Sequence, residues 1–286
     1  MGEKEVNLPK TSKGWAIHLS KLLNYFHEEH GGERFPIKIA DIALEYSKSV
    51  FPNEPITLVE GSDAFHDFEG ALIPSPSANG EWGIFYNSGM SSNGRINFTL
   101  AHELGHYLLH RHLIGEPQLC AQSDMWAWNS EYGQMETEAN EFASYLLMPL
   151  DDVRKQTKNF KKPNIIDFKK IANRYGVSLT AAILKWLTIT DQRAMIVISR
   201  DGFMDWARSS DPLFKSGVFF KAKQKIIPVP SSSIASRNKE FIAPEHGEQF
   251  PARIWSKTEQ VFESAIFSAP NKNFESIGYY NQGNCY

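Results

Sequence analysis

The sequence predicts an α+β fold, in which a helix-rich first part with a small antiparallel sheet precedes a separate, strand-rich C-terminal part. Apolar residues recur at helical spacing over 15–30, 99–112 and 135–148. Short apolar and aromatic runs, bounded by proline and glycine, occupy 71–86 and reappear after residue 191. The chain has 286 residues, of which 42% are hydrophobic, so it can bury one large core or two smaller ones.

The predicted elements begin with an amphipathic helix over 15–30 and a second, short helix over 37–46. Two antiparallel strands follow at 71–73 and 82–86, because prolines and a glycine separate two runs of strand-forming residues. The helical pattern over 99–112 then contains no residue that would break a helix.

Two further helical segments come next, over 135–148 and over 168–187. The second is interrupted by a Gly-Val-Ser turn at 176–178, and a turn of this kind between two helices is typical of a helix-turn-helix. Residues 154–174 contain eight basic residues and one acid. This segment predicts a DNA contact or a docking surface for an acidic protein, with an ordinary helical hairpin as the alternative.

We therefore expect three regions along the chain. The first is a domain over 1–153, the second a helix-turn-helix-like segment over 154–190, and the third a small α+β domain over 191–286. The last region has enough aromatic residues for a core of its own and is a candidate regulatory or sensory domain.

Charge is distributed unevenly between the two halves of the chain. Residues 1–153 contain 9 basic and 22 acidic residues, a net charge of -13, whereas 154–286 contain 21 basic and 11 acidic residues, a net charge of +10. Such a split indicates two regions with different partners. The sequence has no apolar stretch of membrane-spanning length, no secretory signal, and only two cysteines, Cys120 and Cys285, so it predicts a cytoplasmic protein.

The helical segment over 99–112 contains the motif His-Glu-x-x-His at 102–106. Two histidines four residues apart lie about 40° apart around a helix, so His102 and His106 can bind one metal ion. Glu103 projects about 100° from His102, where it can hold and deprotonate a water bound to that ion. The motif thus predicts a zinc site with Glu103 as the general base.

A catalytic zinc site needs a third protein ligand. His112 lies six residues after His106, but without a glycine at position 109 to break the helix it projects about 240° away, so we exclude it. His110 shares the face of His106 but lies one turn too far along to reach the same ion. For His110, as for His112, we expect a capping or packing histidine, with a contact to a metal ligand or to the substrate as the alternative.

The third ligand is predicted on the following helix. If Glu136 is placed at 0° on a helical wheel, then Ala139, Asn140, Ala143 and Leu147 all fall within about 60° of it. A carboxylate on such a stripe of mainly small and apolar residues is unfavourable unless it meets a metal ion or another partner. Two other acids on this helix face the other way and are expected to be solvated. They are Glu138 and Glu141.

Taken together, residues 98–110 (Phe-Thr-Leu-Ala-His-Glu-Leu-Gly-His-Tyr-Leu-Leu-His) and 136–149 (Glu-x-x-Ala-Asn-x-Phe-Ala-x-x-Leu-Leu-Met-Pro) resemble the ImmA/IrrE family of metallo-endopeptidases. The resemblance covers roughly 35–190. It implies a zincin-like helix set with a small sheet, a helix-turn-helix-like segment, and a His/His/Glu zinc site completed by Glu136. Members of this family often cleave repressor proteins or act beside them, in stress responses, phage-like elements and toxin-antitoxin systems.

The sequence thus predicts a zinc endopeptidase that cuts a specific intracellular protein, such as a DNA-binding repressor or an antitoxin. The alternative is a regulatory partner that acts by binding protein or DNA, with a structural or vestigial metal site. Three residues are predicted to support the ligands by hydrogen bonds, namely His110, Asn140 and Tyr107. Candidates to stabilise the oxyanion are Tyr107, His110, Tyr132 and Tyr145.

Overall fold

The computed structural model describes residues 8–65, 68–76, 80–90, 92–114, 131–222, 224–236, 248–250, 261–266 and 274–280. The chain divides into two compact units. The first comprises residues 1–152 with 173–178, and the second comprises 153–172 with 179–286. Helices and sheets occur in both units, which confirms the predicted α+β class.

The first unit combines helices with a three-stranded sheet. Its elements are α1 (Ser12–His30), α2 (Ile39–Val50), β1 (Ile56–Ser62), β2 (Gly70–Pro74), β3 (Trp82–Asn87), α3 (Asn93–His110) and α4 (Glu131–Leu147). The strand order is β1-β3-β2, with β3 antiparallel to β2 and parallel to β1. The sheet is therefore mixed, and the expected antiparallel pairing holds only between β2 and β3. The partner of β1 is not its neighbour in sequence, so local turn signals could not indicate this pairing.

The central helix α3 begins six residues before the predicted start at Thr99. Ser92 caps it, because its hydroxyl oxygen accepts a hydrogen bond from the backbone N–H of Arg95 (3.2 Å). One face of the helix is completely buried and includes Leu100, Leu104 and Tyr107. The apolar spacing in the sequence therefore predicted the helix correctly. Its first six residues, which follow the cap at Ser92, lie before the predicted start.

The second unit is built around a five-stranded antiparallel sheet. Its strands are β4 (Ala194–Arg200), β5 (Phe203–Ser209), β6 (Glu248–Phe250), β7 (Val261–Ile266) and β8 (Phe274–Tyr280), in the order β5-β4-β8-β7-β6. The unit also contains α7 (Leu179–Leu187), α8 (Asp211–Lys215) and a short 3-10 helix, Ile234–Ser236. Two helices, α5 (Leu150–Thr157) and α6 (Ile165–Tyr175), contribute residues to both units.

Strand β4 is buried on both faces. Ala194, Ile196 and Ile198 form one core with helix residues that include Phe168 and Trp186. The alternating residues of β4 point to a second core on the other face of the sheet. In helix α7, five of the nine residues are buried and the other four are half-buried, so it presents little surface for the DNA groove that the second helix of a helix-turn-helix occupies.

Some of the predictions from the sequence are not tested by the fold. The three-region division at 153/154 and 190/191 stays a prediction. Cys120 and Cys285 lie outside the described residues. In the described part of the chain, no helix is both long and apolar enough to cross a membrane.

Candidate metal centre

Helices α3 and α4 pack closely because small residues line their contact. A Cβ atom added to Gly105 would lie 2.9 Å from Cδ1 of Phe142 and 3.2 Å from Cα of Ala139. Both Ala139 and Ala143 are completely buried. Glycine at position 105 therefore allows the two helices to approach closely enough for their polar side chains to meet.

Three of the predicted residues converge at this contact. The Nε2 atoms of His102 and His106 are 3.0 Å apart. The carboxylate of Glu136 lies 3.3 Å from Nε2 of His102 and 3.2 Å from Nε2 of His106. Within the described residues, these three side chains form a group whose ligand atoms all lie within 4.8 Å of one another.

The donor set fits a divalent transition metal such as zinc. Two ligands bonded to a tetrahedral zinc ion at about 2.0–2.1 Å lie about 3.4 Å apart, close to the separations seen here. The Nδ1 atom of His102 lies 3.1 Å from Oδ1 of Asn140, an acceptor, so the proton of His102 belongs on Nδ1 and its Nε2 carries a lone pair. This lone pair and the oxygens of Glu136 converge, and a cation would satisfy both.

Burial keeps both histidines in the neutral form that binds metals. Burial lowers the pKa of His102 below its ordinary value, although Glu136 acts in the opposite direction. Burial, together with the adjacent His102, lowers the pKa of His106 to about 4. Both imidazoles are therefore unprotonated on one nitrogen at neutral pH and available as ligands.

Glu103 is buried, with 7% of its surface exposed. Burial, reinforced by the nearby carboxylate of Glu136, raises its pKa to about 8, although a hydrogen bond from the backbone N–H of Leu72 acts in the opposite direction. A cation beside Glu103 would favour the ionised form of its carboxylate. Strand β2 approaches this side chain closely, since a Cβ atom on Gly70 would lie 3.0 Å from Oε1 of Glu103.

The three candidate ligands and Glu103 line one groove of about 550 Å³. Part of its wall is β2, from Gly70 to Leu72. The remaining lining residues come from α3, α4 and the chain after α3. They are Phe98, Thr99, Ile114, Tyr132, Met135 and Asn140, with Glu69 at the start of β2. The triad and Glu103 therefore face the same groove.

Two of the three residues that were predicted to support the ligands contact them in the structure. Asn140 contacts His102, and Nδ1 of His110 lies 3.1 Å from Nδ1 of His106. The hydroxyl of Tyr107 instead donates to the backbone carbonyl of Glu54 (2.6 Å), so the structure does not bring this group to the candidate ligands. His112 is exposed in the turn that follows α3.

Sequence reasoning missed the role of Glu138. Its carboxylate was expected to be solvated, but it lies 2.9 Å from Nε2 of His110 and accepts a hydrogen bond from Gln134 (2.8 Å). These two hydrogen bonds hold the pKa of Glu138 below its usual value. A signal was present, since His110 continues the stripe of His102 and His106 and a buried histidine needs a polar partner.

The four candidates to stabilise the oxyanion differ in whether they line the groove. Tyr132 lines the groove, whereas Tyr107, His110 and Tyr145 do not. The ring of Tyr145 instead lies 5.4 Å from the ammonium group of Lys13, on α1. Tyr132 is therefore the candidate that remains next to the triad.

Comparisons with known proteins agree with this site. Residues 61–187 match the family Peptidase_M78, described as an IrrE N-terminal-like domain, and this span includes His102, Glu103, His106 and Glu136. Residues 61–187 therefore match an IrrE N-terminal-like domain, which confirms the resemblance to the ImmA/IrrE metallopeptidase family that the motifs indicated.

A search of curated proteins gives no match. Among solved structures, the chain is similar to a Mycobacterium tuberculosis transcriptional regulator, with a TM-score of 0.51 and 16% sequence identity. The similarity covers 92% of this chain and 76% of that chain. At this identity it supports the fold and does not define the activity.

Proposed function

We propose that the protein is a zinc-dependent endopeptidase that cuts a specific protein. The observation that carries the proposal is the convergence of His102, His106 and Glu136 in a groove that Glu103 also lines. A structural metal site has no use for a base, so the position of Glu103 favours a hydrolytic site over a purely structural one.

The ion would be held by His102, His106 and Glu136, and it would lower the pKa of water and polarise the scissile carbonyl group. Glu103 supplies the proton transfers. Its carboxylate takes a proton from the attacking water as the new C–O bond forms, and it passes that proton to the amide nitrogen as the C–N bond breaks. The backbone N–H of Leu72 orients the carboxylate during both transfers.

Strand β2 offers a way to hold a peptide in the groove. The backbone N–H of Asn87 donates to the carbonyl of Glu69 (3.0 Å), and the N–H of Ser75 donates to the carbonyl of Glu81 (2.7 Å). Because hydrogen-bonded pairs alternate along antiparallel strands, the odd-numbered residues of β2 bond to β3.

The even-numbered residues of β2 therefore direct their backbone groups to the outer edge of the sheet. The hydrogen bond from Leu72 N–H to Glu103 agrees with this alternation. In the described part of the chain β2 is an edge strand, and the N–H and C=O of Gly70 face the groove side. We infer that an extended substrate segment pairs with β2, because an unpaired edge is a template for an added strand.

A basic, DNA-binding repressor or antitoxin fits this site as the substrate. Residues 1–153, which contain the groove, have a net charge of -13 from 9 basic and 22 acidic residues. Opposite charge steers association and suppresses unsuitable partners.

The direct test is metal-dependent cleavage. We expect the zinc-loaded protein to generate new N-termini when incubated with a proteome-derived peptide library, and with any small helix-turn-helix protein encoded by a neighbouring gene. A chelator should abolish these N-termini and added Zn²⁺ should restore them, as measured by N-terminal labelling and mass spectrometry. A binding protein without protease activity would instead retain the helix-turn-helix protein and leave it intact in every sample.

Direct DNA binding is a second candidate function, because a basic surface lies on α6 and the segment before it. It consists of Lys161, Lys162, Lys169 and Lys170, which are all exposed. Among the residues that the structure describes, none of the four has an ion-pair partner. Since α7 has no exposed residue, this surface can contact phosphates but lacks an exposed second helix that reads bases.

We therefore expect weak DNA binding that does not depend on base sequence. Replacing the four lysines by alanine should lower the slope of log affinity against log salt by about 3 to 4, because each phosphate contact contributes about 0.9. Fluorescence anisotropy with two unrelated duplexes measures both affinity and sequence preference. Tight wild-type binding of one duplex over the other would show that another element reads the bases.

A further inference from the structure

We propose that Glu138 acts through His110 to place the proton of His106 on Nδ1, which leaves Nε2 of His106 free to bind the metal. The proposal rests on the metal site described above and adds two positioning residues to it. Neither residue lies among the candidate ligands, because His110 contacts only the far side of the His106 ring.

The three side chains form a continuous chain of hydrogen bonds. Nδ1 of His106 lies 3.1 Å from Nδ1 of His110, and Nε2 of His110 lies 2.9 Å from Oε2 of Glu138. The other oxygen of Glu138 accepts from Nε2 of Gln134 (2.8 Å), which fixes the orientation of the carboxylate. His110 is 2% exposed, so its contact with His106 is shielded from water.

The direction of every hydrogen bond follows from the carboxylate. An ionised carboxylate is only an acceptor, so Nε2 of His110 must carry a proton and donate it to Glu138. A neutral His110 then has a lone pair on Nδ1 and accepts from Nδ1–H of His106. Consequently Nε2 of His106 has no proton, and its lone pair points towards Glu136 and His102.

Without Glu138, nothing fixes which nitrogen of His110 carries the proton, and the hydrogen bonds between His110 and His106 can run in either direction. His110 could then carry its proton on Nδ1 and donate it to His106. In that arrangement His106 would carry its proton on Nε2, which blocks metal binding. His102 does not need such a chain, because its Nδ1 meets the side-chain oxygen of Asn140 directly.

The experiment compares three substitutions at position 138 in the full chain. Glu138→Ala removes the acceptor, Glu138→Gln keeps an acceptor oxygen but removes the charge, and Glu138→Lys places only donors there. A matched control is Glu141→Ala on the same helix, because Glu141 contacts Ser12 and Lys13 and no histidine. Affinity for Zn²⁺ is measured by competition with a chromophoric chelator.

We expect the alanine and lysine substitutions to weaken Zn²⁺ binding by about 10-fold to 100-fold, the range for residues that orient metal-binding histidines. Glu138→Gln should lose less than about 3-fold, and Glu141→Ala should bind as the wild type does. In a His110→Asn background, Glu138→Ala should have no further effect, because Glu138 acts through His110. Equal losses in the alanine and glutamine variants, persisting in that background, would show a through-space charge effect and overturn the proposal.

A second measurement does not depend on the metal. ¹⁵N chemical shifts of the histidine rings in the metal-free protein report which nitrogen carries the proton. We expect His106 to be protonated on Nδ1 in the wild type and to populate both forms in Glu138→Ala. A wild-type His106 protonated mainly on Nε2 would overturn the proposal, whereas absent Zn²⁺ binding with the expected shifts would contradict the proposed function alone.

Discussion

Replacing Gly105 by valine should remove Zn²⁺ binding, with an affinity loss of at least about 100-fold, beyond the range seen for residues that only orient ligands. A Cβ atom at this position would lie 2.9 Å from Phe142 and 3.2 Å from the backbone of Ala139, and the backbone contact cannot be relieved by a side-chain rotation. Helices α3 and α4 must therefore separate. Two of the candidate ligands lie on α3 and the third, Glu136, lies on α4.

The same substitution should lower stability without unfolding the protein. Overpacking a close contact costs about 1–3 kcal/mol, which corresponds to a fall in Tm of a few degrees for a chain of this size. Chelator competition measures the affinity, and circular dichroism measures folding and Tm. We therefore expect a large loss of Zn²⁺ affinity together with only a small loss of stability.

Gly133→Ala is the matched control, because it changes a glycine on α4 whose added Cβ would meet nothing within 4 Å. We expect unchanged Zn²⁺ affinity and equal or slightly higher stability, since alanine favours a helix more than glycine does. If Gly105→Val bound Zn²⁺ as tightly as this control, the close approach of α3 and α4 would not be what assembles the triad.

The part of the site that the sequence could predict is the part fixed by helix geometry. His102, Glu103 and His106 lie within two turns of one helix, so their spacing defines their relative directions. Glu136 was also predictable, because a carboxylate on a stripe of small residues needs a partner. The roles of these four residues stay predictions, but the structure brings the three candidate ligands together as the spacing indicated.

Contacts between elements were harder to predict. Glu138 faces away from the triad on a wheel of α4 alone, and only the packing of α4 against α3 brings it to His110. The direction of Tyr107, by contrast, could have been predicted. It lies about 100° around the helix from His106, which places it on the buried face of α3, where it contacts Glu54.

The helix-turn-helix expectation shows a different limit of local patterns. The turn at 176–178 separates α6 and α7 as predicted, with Gly176 in a left-handed conformation (φ 60°). However, Leu179–Leu187 is apolar on nearly every side, and such a helix is usually buried. Its side chains pack with β4, which lies in the following part of the sequence, so the local motif could not reveal that α7 is not exposed.

Replacing Glu103 by glutamine should leave Zn²⁺ affinity within about 3-fold of the wild type and lower kcat by about 10² to 10⁴, the range attributed to general acid–base catalysis. The amide has nearly the same shape, and its oxygen can still accept the hydrogen bond from Leu72, so the groove keeps its form. The amide cannot take a proton from water at neutral pH. Cleavage of a peptide identified from the library, measured with Zn²⁺ bound, gives kcat and KM separately.

Two variants make this result specific to Glu103. Glu136→Gln should lose Zn²⁺ and activity together, because it alters a ligand, whereas Glu69→Gln should lose neither. Glu69 lines the same groove but is half exposed and pairs with Arg95, so it tests whether any carboxylate at the groove matters. If Glu103→Gln kept more than a tenth of wild-type kcat with Zn²⁺ bound, another group would have to move the proton. The structure would then have to supply that base from the groove lining, where Tyr132 is the other titratable side chain outside the triad, Glu103 and Glu69 in the described residues.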